Sequence, residues 1–151
     1  MKKNKRSIIV LASGAFDLVH YGHIRFLEEA KKAGGDNAKL IVVVARDSNI
    51  QKMKGKKPII PENQRRAVVE SLKPVDEAIL GYSDISLMET IKRIKPDIIA
   101  VGYDQREIEE GLKMLMDREK ITVRIVKIGR FGRQNLDSSS KIKRRILNEV
   151  S

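Results

Sequence analysis

The two histidines of the chain lie three positions apart, on either side of a glycine. An apolar run over residues 8–12 precedes them and a helical pattern follows, which places them where a buried strand gives way to a helix. Backbone N–H groups without intrahelical partners and the positive end of the helix dipole favour an anion at such a junction. Gly22 has no Cβ and lets a phosphate approach the backbone. We therefore predict that His20 and His23 donate hydrogen bonds to phosphate oxygens.

Two other interpretations of the histidine pair remain open. Either ring could cap the helix or fill space in the interior. The pair could also bind a metal ion together with Asp17, although the neighbouring sequence offers no convincing further ligand. The chain contains no cysteine, which excludes disulfides, thiolate nucleophiles and cysteine-bound zinc and is typical of a protein from a reducing compartment.

Short apolar runs alternate with helical patterns along the whole chain. The predicted strands are nearly continuous in apolarity and rich in β-branched residues, as strands buried on both faces of a parallel sheet are. They cover residues 7–12, 39–45, 77–80, 97–101 and 122–128. The predicted helices cover residues 22–33, 62–72, 83 or 84 to 94, 107–120 and 138–150.

This alternation predicts an α/β fold: a single Rossmann-like, doubly wound domain over residues 1–151 with a five-stranded parallel sheet. In such sheets, ligands bind beyond the carboxyl ends of the strands, where the strand order reverses. Four stretches rich in polar residues follow predicted strands, at residues 13–23, 46–57, 102–105 and 129–140. We expect these stretches to meet at one edge of the sheet and to form the site.

The formal net charge of +11 predicts an anionic partner. Nucleotides, nucleic acids and membrane surfaces all fit this charge. A nucleic-acid-binding protein is the less favoured alternative, because aromatic residues make up only 4% of the chain and the basic residues follow no known binding motif. No apolar run approaches the roughly 20 residues that span a bilayer, and the run after the basic start is shorter than that of a signal peptide. We therefore expect a cytoplasmic protein without a membrane partner.

His20-Tyr21-Gly22-His23 is an HxGH signature, and with it the chain resembles the nucleotidyltransferase family that includes the cytidylyltransferases. Gly14-Ala15-Phe16-Asp17 is similar to the G-T-F-D of that family, with alanine where threonine is usual. Gly102-Tyr103-Asp104 matches its G-x-D after the fourth strand, and Ser138-Ser139-Ser140 resembles the element that opens its last helix. The motifs are spread over nearly the whole chain. The resemblance implies the HxGH nucleotidyltransferase fold, with a nucleoside triphosphate at the carboxyl edge of the sheet.

The resemblance also implies roles for individual residues. His20, His23 and Lys54 would be catalytic, and Lys52, Lys54 and Arg65 would bind the acceptor or its phosphate. The implied nucleotide contacts are Ala15, Phe16, His20, Tyr21, Gly22, His23, Asp104, Arg130, Phe131, Ser138, Ser139 and Ser140. No residue is expected to bind metal directly, since a Mg²⁺ ion bridging the phosphates would be held by substrate oxygens and water. The resemblance further implies a homodimer.

Within this family, residues 45–66 and 72–76 most resemble the archaeal-type FAD synthases. That resemblance implies direct in-line transfer of AMP from ATP to FMN, with release of pyrophosphate. The alternative is a CTP-dependent cytidylyltransferase that acts on a small alcohol phosphate such as glycerol 3-phosphate. A pantetheine-phosphate adenylyltransferase is a third possibility. Residues 131–137 form a longer segment than the cytidylyltransferase pattern has.

Overall fold

The computed structural model of the chain describes residues 6–81, 87–130 and 138–150. Their five strands form one parallel sheet with the order β3-β2-β1-β4-β5. The strands are β1 (Ile8–Gly14), β2 (Ala38–Val44), β3 (Glu77–Leu80), β4 (Ile98–Gly102) and β5 (Arg124–Ile128). The helices are α1 (Tyr21–Ala33), α2 (Asp47–Lys54), α3 (Glu62–Glu70), α4 (Leu87–Ile94), α5 (Arg106–Glu119) and α6 (Ser139–Val150). The predicted α/β fold with a five-stranded parallel sheet is confirmed.

The sheet separates two hydrophobic cores. Successive residues of a strand point to opposite faces, so Val10 packs with the first core and Leu11 with the second. The first core also holds the buried apolar residues of α1 and α3, and the second those of α4 and α5. Burial on both faces explains why the strands read as continuous apolar runs.

The chain order places the reversal of the sheet between β1 and β4. From β1 the chain moves outward through β2 to β3, with α1 and α3 on one face, and then returns along α4 to β4 on the other side of β1. Val10 and Leu11 of β1 pair with Ile98 and Ile99 of β4. The carboxyl ends of these two strands are therefore adjacent, at the position where such sheets bind ligands.

One helix is absent from the predicted elements. Residues 46–57 were expected only as a polar stretch after a strand, but Asp47–Lys54 form α2, which ends at Gly55 with φ 74°. Its short sequence buries only Asn49 and Ile50, so the apolar stripe that marks an amphipathic helix is nearly absent. The other predicted elements lie within two residues of those observed, except that the expected start of α4 lies outside the described residues.

Among the residues that the structure describes, none of the helices has both the length and the apolar character of a membrane span.

Candidate active site

The turn between β1 and α1 contains two non-glycine residues in a left-handed backbone conformation. Phe16 and Leu18 have φ values of 54° and 52°, a left-handed conformation that costs a non-glycine residue about 1 kcal/mol or more. The Phe16 side chain is 3% exposed and packs in the first core. The turn ends at His20, the extended residue that precedes the first turn of α1.

The imidazoles of His20 and His23 stack against each other. Their ring centroids are 3.8 Å apart with an interplanar angle of 25°, and the ring of Phe16 lies 5.2 Å from that of His23. The backbone N–H of His20 donates to Nδ1 of His23 at 3.2 Å. Because Nδ1 accepts this bond, the neutral ring of His23 carries its proton on Nε2.

The surroundings of His23 keep the imidazole neutral. The pKa of His23 is lowered from 6.5 to about 4, mainly by burial and in part by the charges of His20 and Lys54, while the charge of Asp17 opposes them. At neutral pH His23 therefore has an Nε2–H donor and no charge. Such a group can stabilise charge that develops on a phosphate oxygen without serving as an acid or a base.

Asp17 connects the turn to two other parts of the molecule. Its carboxylate accepts the backbone N–H groups of Ile59 and Ile60 at 2.8 and 2.9 Å, and the ammonium of Lys143 lies 3.6 Å away. The Ser139 hydroxyl donates to the Asp17 carbonyl oxygen. The histidine turn is thus bound to the segment before α3 and to the start of α6.

Arg65 is placed differently from the prediction. Its side chain is fully buried, and its guanidinium donates to the carbonyl oxygens of Ile60, Ala15 and Ala45 at 2.7 to 2.8 Å and to Asp47 at 2.6 Å. A group in the interior with these partners is not positioned to contact an acceptor phosphate. The structure gives Arg65 the role of joining the ends of β1 and β2 to α2 and to the segment before α3.

The two predicted lysines lie in the last turn of α2, and both are exposed. The charge of Lys54 lowers the pKa of His23, so the ammonium of Lys54 acts electrostatically on the histidine pair. No comparable observation connects Lys52 with the histidines in the described part of the chain. The structure therefore brings Lys54 to the site more clearly than Lys52.

The end of β4 carries Asp104 to the same edge of the sheet. The Gln105 side chain accepts the N–H of Gly102 at 2.9 Å and donates to the Ser13 carbonyl at 2.8 Å, and so joins the ends of β4 and β1. A Cβ at Gly102 would approach Asp104 Oδ1 to 3.0 Å, so glycine leaves room for this exposed carboxylate. The sequence alone indicates no role for Gln105 beyond its place directly after the G-x-D motif.

Two of the three serines at the start of α6 make structural contacts. Ser138 Oγ accepts the N–H of Lys141 at 3.2 Å, which is an N-cap bond, and the Ser139 hydroxyl bonds to Asp17. Ser140 is exposed. Ser139 gives its hydroxyl proton to Asp17, whereas the Ser138 hydroxyl acts only as an acceptor. Phosphate contacts from this element would therefore come from the hydroxyls of Ser138 and Ser140 and from backbone N–H groups of the first turn.

The remaining predicted nucleotide contacts divide into three groups. Tyr21 is exposed at the start of α1. Arg130 contacts Tyr103, with its guanidinium carbon 5.9 Å from the centre of the tyrosine ring. The buried ring of Phe16 and the Ala15 carbonyl, which accepts from Arg65, face the protein rather than solvent. Phe131 lies outside the described residues.

The metal interpretation of the histidine pair finds no support in the described residues. They contain no cluster of three histidine or carboxylate side chains that could hold an ion. The carboxylate of Asp17, the ligand considered with the histidines, already accepts two backbone N–H groups. The donor set fits a site that binds phosphate groups.

Comparison with known proteins shows the family. The sequence matches the cytidylyltransferase-like family over residues 11–145, and the chain belongs to this family. An FAD synthase of Ferroglobus placidus is 49% identical, covering 94% of the chain and 90% of that protein. FAD synthases of Methanothermobacter marburgensis and Thermoplasma acidophilum are 48% and 47% identical, over 91% and 93% of the chain and 84% and 95% of those proteins.

Solved structures agree with the fold. A crystal structure described as a lipopolysaccharide core biosynthesis protein from Thermoplasma volcanium superposes with a TM-score of 0.75 at 46% identity, covering 83% of the chain and 98% of that protein. A pantoate–β-alanine ligase from Francisella tularensis shares the fold alone, with a TM-score of 0.61 at 15% identity over 99% of the chain and 71% of the ligase. The predicted family and the predicted resemblance to archaeal FAD synthases are confirmed, and the chain is a nucleotidyltransferase.

Proposed function

We propose that the chain transfers the AMP unit of ATP to the phosphate of FMN, forming FAD and pyrophosphate. The observation that carries this proposal is the stacked pair of His20 and the neutral His23 at the start of α1, where the ends of β1 and β4 meet. Relatives named FAD synthase, 47–49% identical over most of the chain, support FMN as the acceptor.

The reaction is a direct displacement at the α-phosphorus. A phosphate oxygen of FMN forms the new bond to this phosphorus, and the bond to the β-phosphate oxygen breaks, so that pyrophosphate leaves with the electron pair. This chemistry depends on positioning and on charge stabilisation more than on proton transfer. His20 and His23 donate to the α-phosphate oxygens, which gain charge in the crowded transition state.

In this proposal, the FMN phosphate and the leaving pyrophosphate lie on opposite sides of the histidine pair. Lys54, with Lys52, attracts and orients the FMN phosphate from the end of α2. The leaving pyrophosphate meets the start of α6, where Ser140 and backbone N–H groups stabilise its charge. Asp104 accepts a hydrogen bond from the ribose or the base of the nucleotide at the end of β4.

A divalent cation, which we take to be Mg²⁺, would neutralise part of the triphosphate charge when bound. We propose that phosphate oxygens and water hold it, in keeping with the oxygen ligands and retained waters typical of Mg²⁺. The protein's contribution is to fix the phosphates around it through His20, His23 and the start of α6. The homodimer and the cytoplasmic location expected from the sequence remain predictions.

The purified chain, incubated with ATP, FMN and Mg²⁺, should form FAD and pyrophosphate in equal amounts, measured by chromatography and a pyrophosphate assay. Parallel reactions with CTP and glycerol 3-phosphate, with CTP and FMN, and with ATP and pantetheine phosphate define the substrates. Pyrophosphate formed only from CTP and glycerol 3-phosphate would overturn the proposed acceptor and nucleotide. His23→Ala should lower turnover by about 10²-fold or more, the effect of removing a transition-state donor. Nearly normal turnover in this variant would show that the histidine pair is not the reacting site.

A further inference from the structure

Asp17 lies between the two regions that bind different substrates in the proposed function. On one side its carboxylate accepts the N–H groups of Ile59 and Ile60, which follow the basic end of α2. On the other side it faces Lys143 of α6, at 3.6 Å. The side chains of Asp17 and Lys143 are 10% and 31% exposed, so their attraction is only partly screened by solvent.

The helix α6 lies on the surface of the described part of the chain. Over its whole described length, Ser139–Val150, it contains no buried residue. Segments with little buried apolar surface open at low free energy. The bond from Ser139 to the Asp17 carbonyl and the ion pair of Lys143 with the Asp17 carboxylate both favour the docked helix. A helix held in this way can open, and a ligand at its first turn would favour the docked arrangement.

We infer that Lys143 and Asp17 are positioning residues that couple nucleotide binding at α6 to acceptor binding at the end of α2. A triphosphate at the first turn of α6 stabilises the docked helix, and docking brings Lys143 to Asp17. The carboxylate so placed holds Ile59 and Ile60, and with them the segment that follows the acceptor lysines. Each substrate then raises the affinity for the other, as linkage requires.

This inference rests on the proposed function, but it makes a separate measurable claim. FMN fluorescence gives the Kd of FMN with and without a saturating non-hydrolysable ATP analogue and Mg²⁺. In the unmodified chain the analogue should tighten FMN binding about 5-fold or more, the lower range of measured couplings. Lys143→Met should reduce this ratio to about one, and Lys143→Arg, which keeps the ion pair, should restore most of it.

Arg145→Met is the matched control. Arg145 lies on the same helix, is exposed and pairs with Glu149 rather than with Asp17, so its loss removes one positive charge and should leave the ratio unchanged. Asp17→Asn should reproduce the loss seen with Lys143→Met, and the double variant should lose nothing further. Where Asp17→Asn does not fold by circular dichroism, the variants at Lys143 and Arg145 decide the question.

Three results would overturn the inference. The first is a ratio near one in the unmodified chain that nevertheless forms FAD. The second is a normal ratio in Lys143→Met. The third is weaker binding of the analogue alone with an unchanged ratio, which would make Lys143 a direct phosphate ligand. If the chain forms no FAD, the proposed function fails, and the same ratio is measured by calorimetry with a CTP analogue and glycerol 3-phosphate.

Discussion

The histidine turn, residues 14–20, and the basic segment, residues 52–57, contribute to the same site in opposite ways. At the turn, charged groups are buried and hydrogen-bonded: Asp17 accepts two backbone N–H groups, and the fully buried Arg65 of α3 donates to Ala15. In the basic segment every residue is exposed, and Gly55 takes a left-handed conformation after the end of α2.

This difference separates the residues that fix the geometry of the site from the residues that supply charge to it. A buried, hydrogen-bonded group fixes the position of its neighbours, and its removal leaves unpaired partners in the interior. An exposed lysine supplies charge at little structural cost and is screened by salt. Substitutions around the turn should therefore act first on stability, and substitutions in the basic segment should act on activity alone.

Arg65→Met should have the largest effect of the changes considered. The substitution leaves Asp47, whose side chain is 32% exposed, and three carbonyl oxygens without their donor, and an acceptor left unpaired in the interior costs about 1–3 kcal/mol. Urea denaturation followed by circular dichroism measures this loss. The exposed Arg106, which pairs with Glu110 along α5, is the matched control, and Arg106→Met should change stability by less than about 0.5 kcal/mol.

A small effect of Arg65→Met on stability, together with weaker acceptor binding, would contradict the assignment of Arg65 to the buried residues that act on stability. It would return Arg65 to the phosphate-binding role that the sequence predicted and show that the guanidinium leaves the interior when substrate binds. Arg65→Lys offers a second check, because a lysine keeps the charge but lacks the planar donors that reach several acceptors. It should recover only part of the stability.

The second prediction concerns the pH dependence of stability. The pKa of His23 is lowered from 6.5 to about 4 in the folded chain, so between these values the unfolded chain binds more protons than the folded one. Stability should fall as the pH drops from 6.5 to 4, by roughly 3 kcal/mol in total from this group, and level off below. The difference in unfolding free energy between the chain and His23→Gln, measured by urea denaturation across this range, isolates the contribution. A constant difference would contradict the buried, neutral imidazole.

The sequence predicts the parts of this molecule that are locally encoded. The five strands follow from continuous apolar runs, and the histidine pair follows from its place between a buried strand and a helix. Arg65 shows that local sequence patterns do not predict contacts between residues that are far apart in the chain. In the sequence it follows a basic segment and a helix start, as a phosphate ligand would, but its partners Ala15 and Asp47 lie 50 and 18 positions away.

Lys143 is a second residue whose contacts local sequence patterns do not predict. It lies in a run of basic residues on α6 that reads as a solvated helix face, yet its ammonium lies 3.6 Å from Asp17. The contact depends on how α6 docks beside the β1–α1 turn, which no local pattern encodes. Basic residues on one helix are thus equivalent in the sequence and become different only through tertiary packing.

Lys54→Met tests the claim that substitutions in the exposed basic segment act on activity alone. We expect kcat/KM for FMN to fall roughly tenfold, about the effect of one lost charge-assisted hydrogen bond, with stability unchanged within about 0.5 kcal/mol. The loss should shrink at high ionic strength, because salt already screens an exposed charge. Lys56→Met, in the same segment, is the control and should leave kcat/KM within about twofold. A large loss of stability in Lys54→Met would show that the basic segment also holds the fold together.

The smallest effect is expected at Ser138, where structure and phosphate binding make opposite predictions. Its hydroxyl accepts the N–H of Lys141, and an N-cap serine replaced by alanine costs about 1 kcal/mol of helix stability. Ser138→Ala should therefore speed hydrogen exchange of the α6 amides, and Ser138→Asn, an equally good cap without added charge, should restore the slow exchange. Because α6 contains no buried residue over its described length, the global unfolding free energy should change little. A higher KM for ATP in both variants, with exchange unchanged in Ser138→Ala, would instead make the hydroxyl a phosphate ligand.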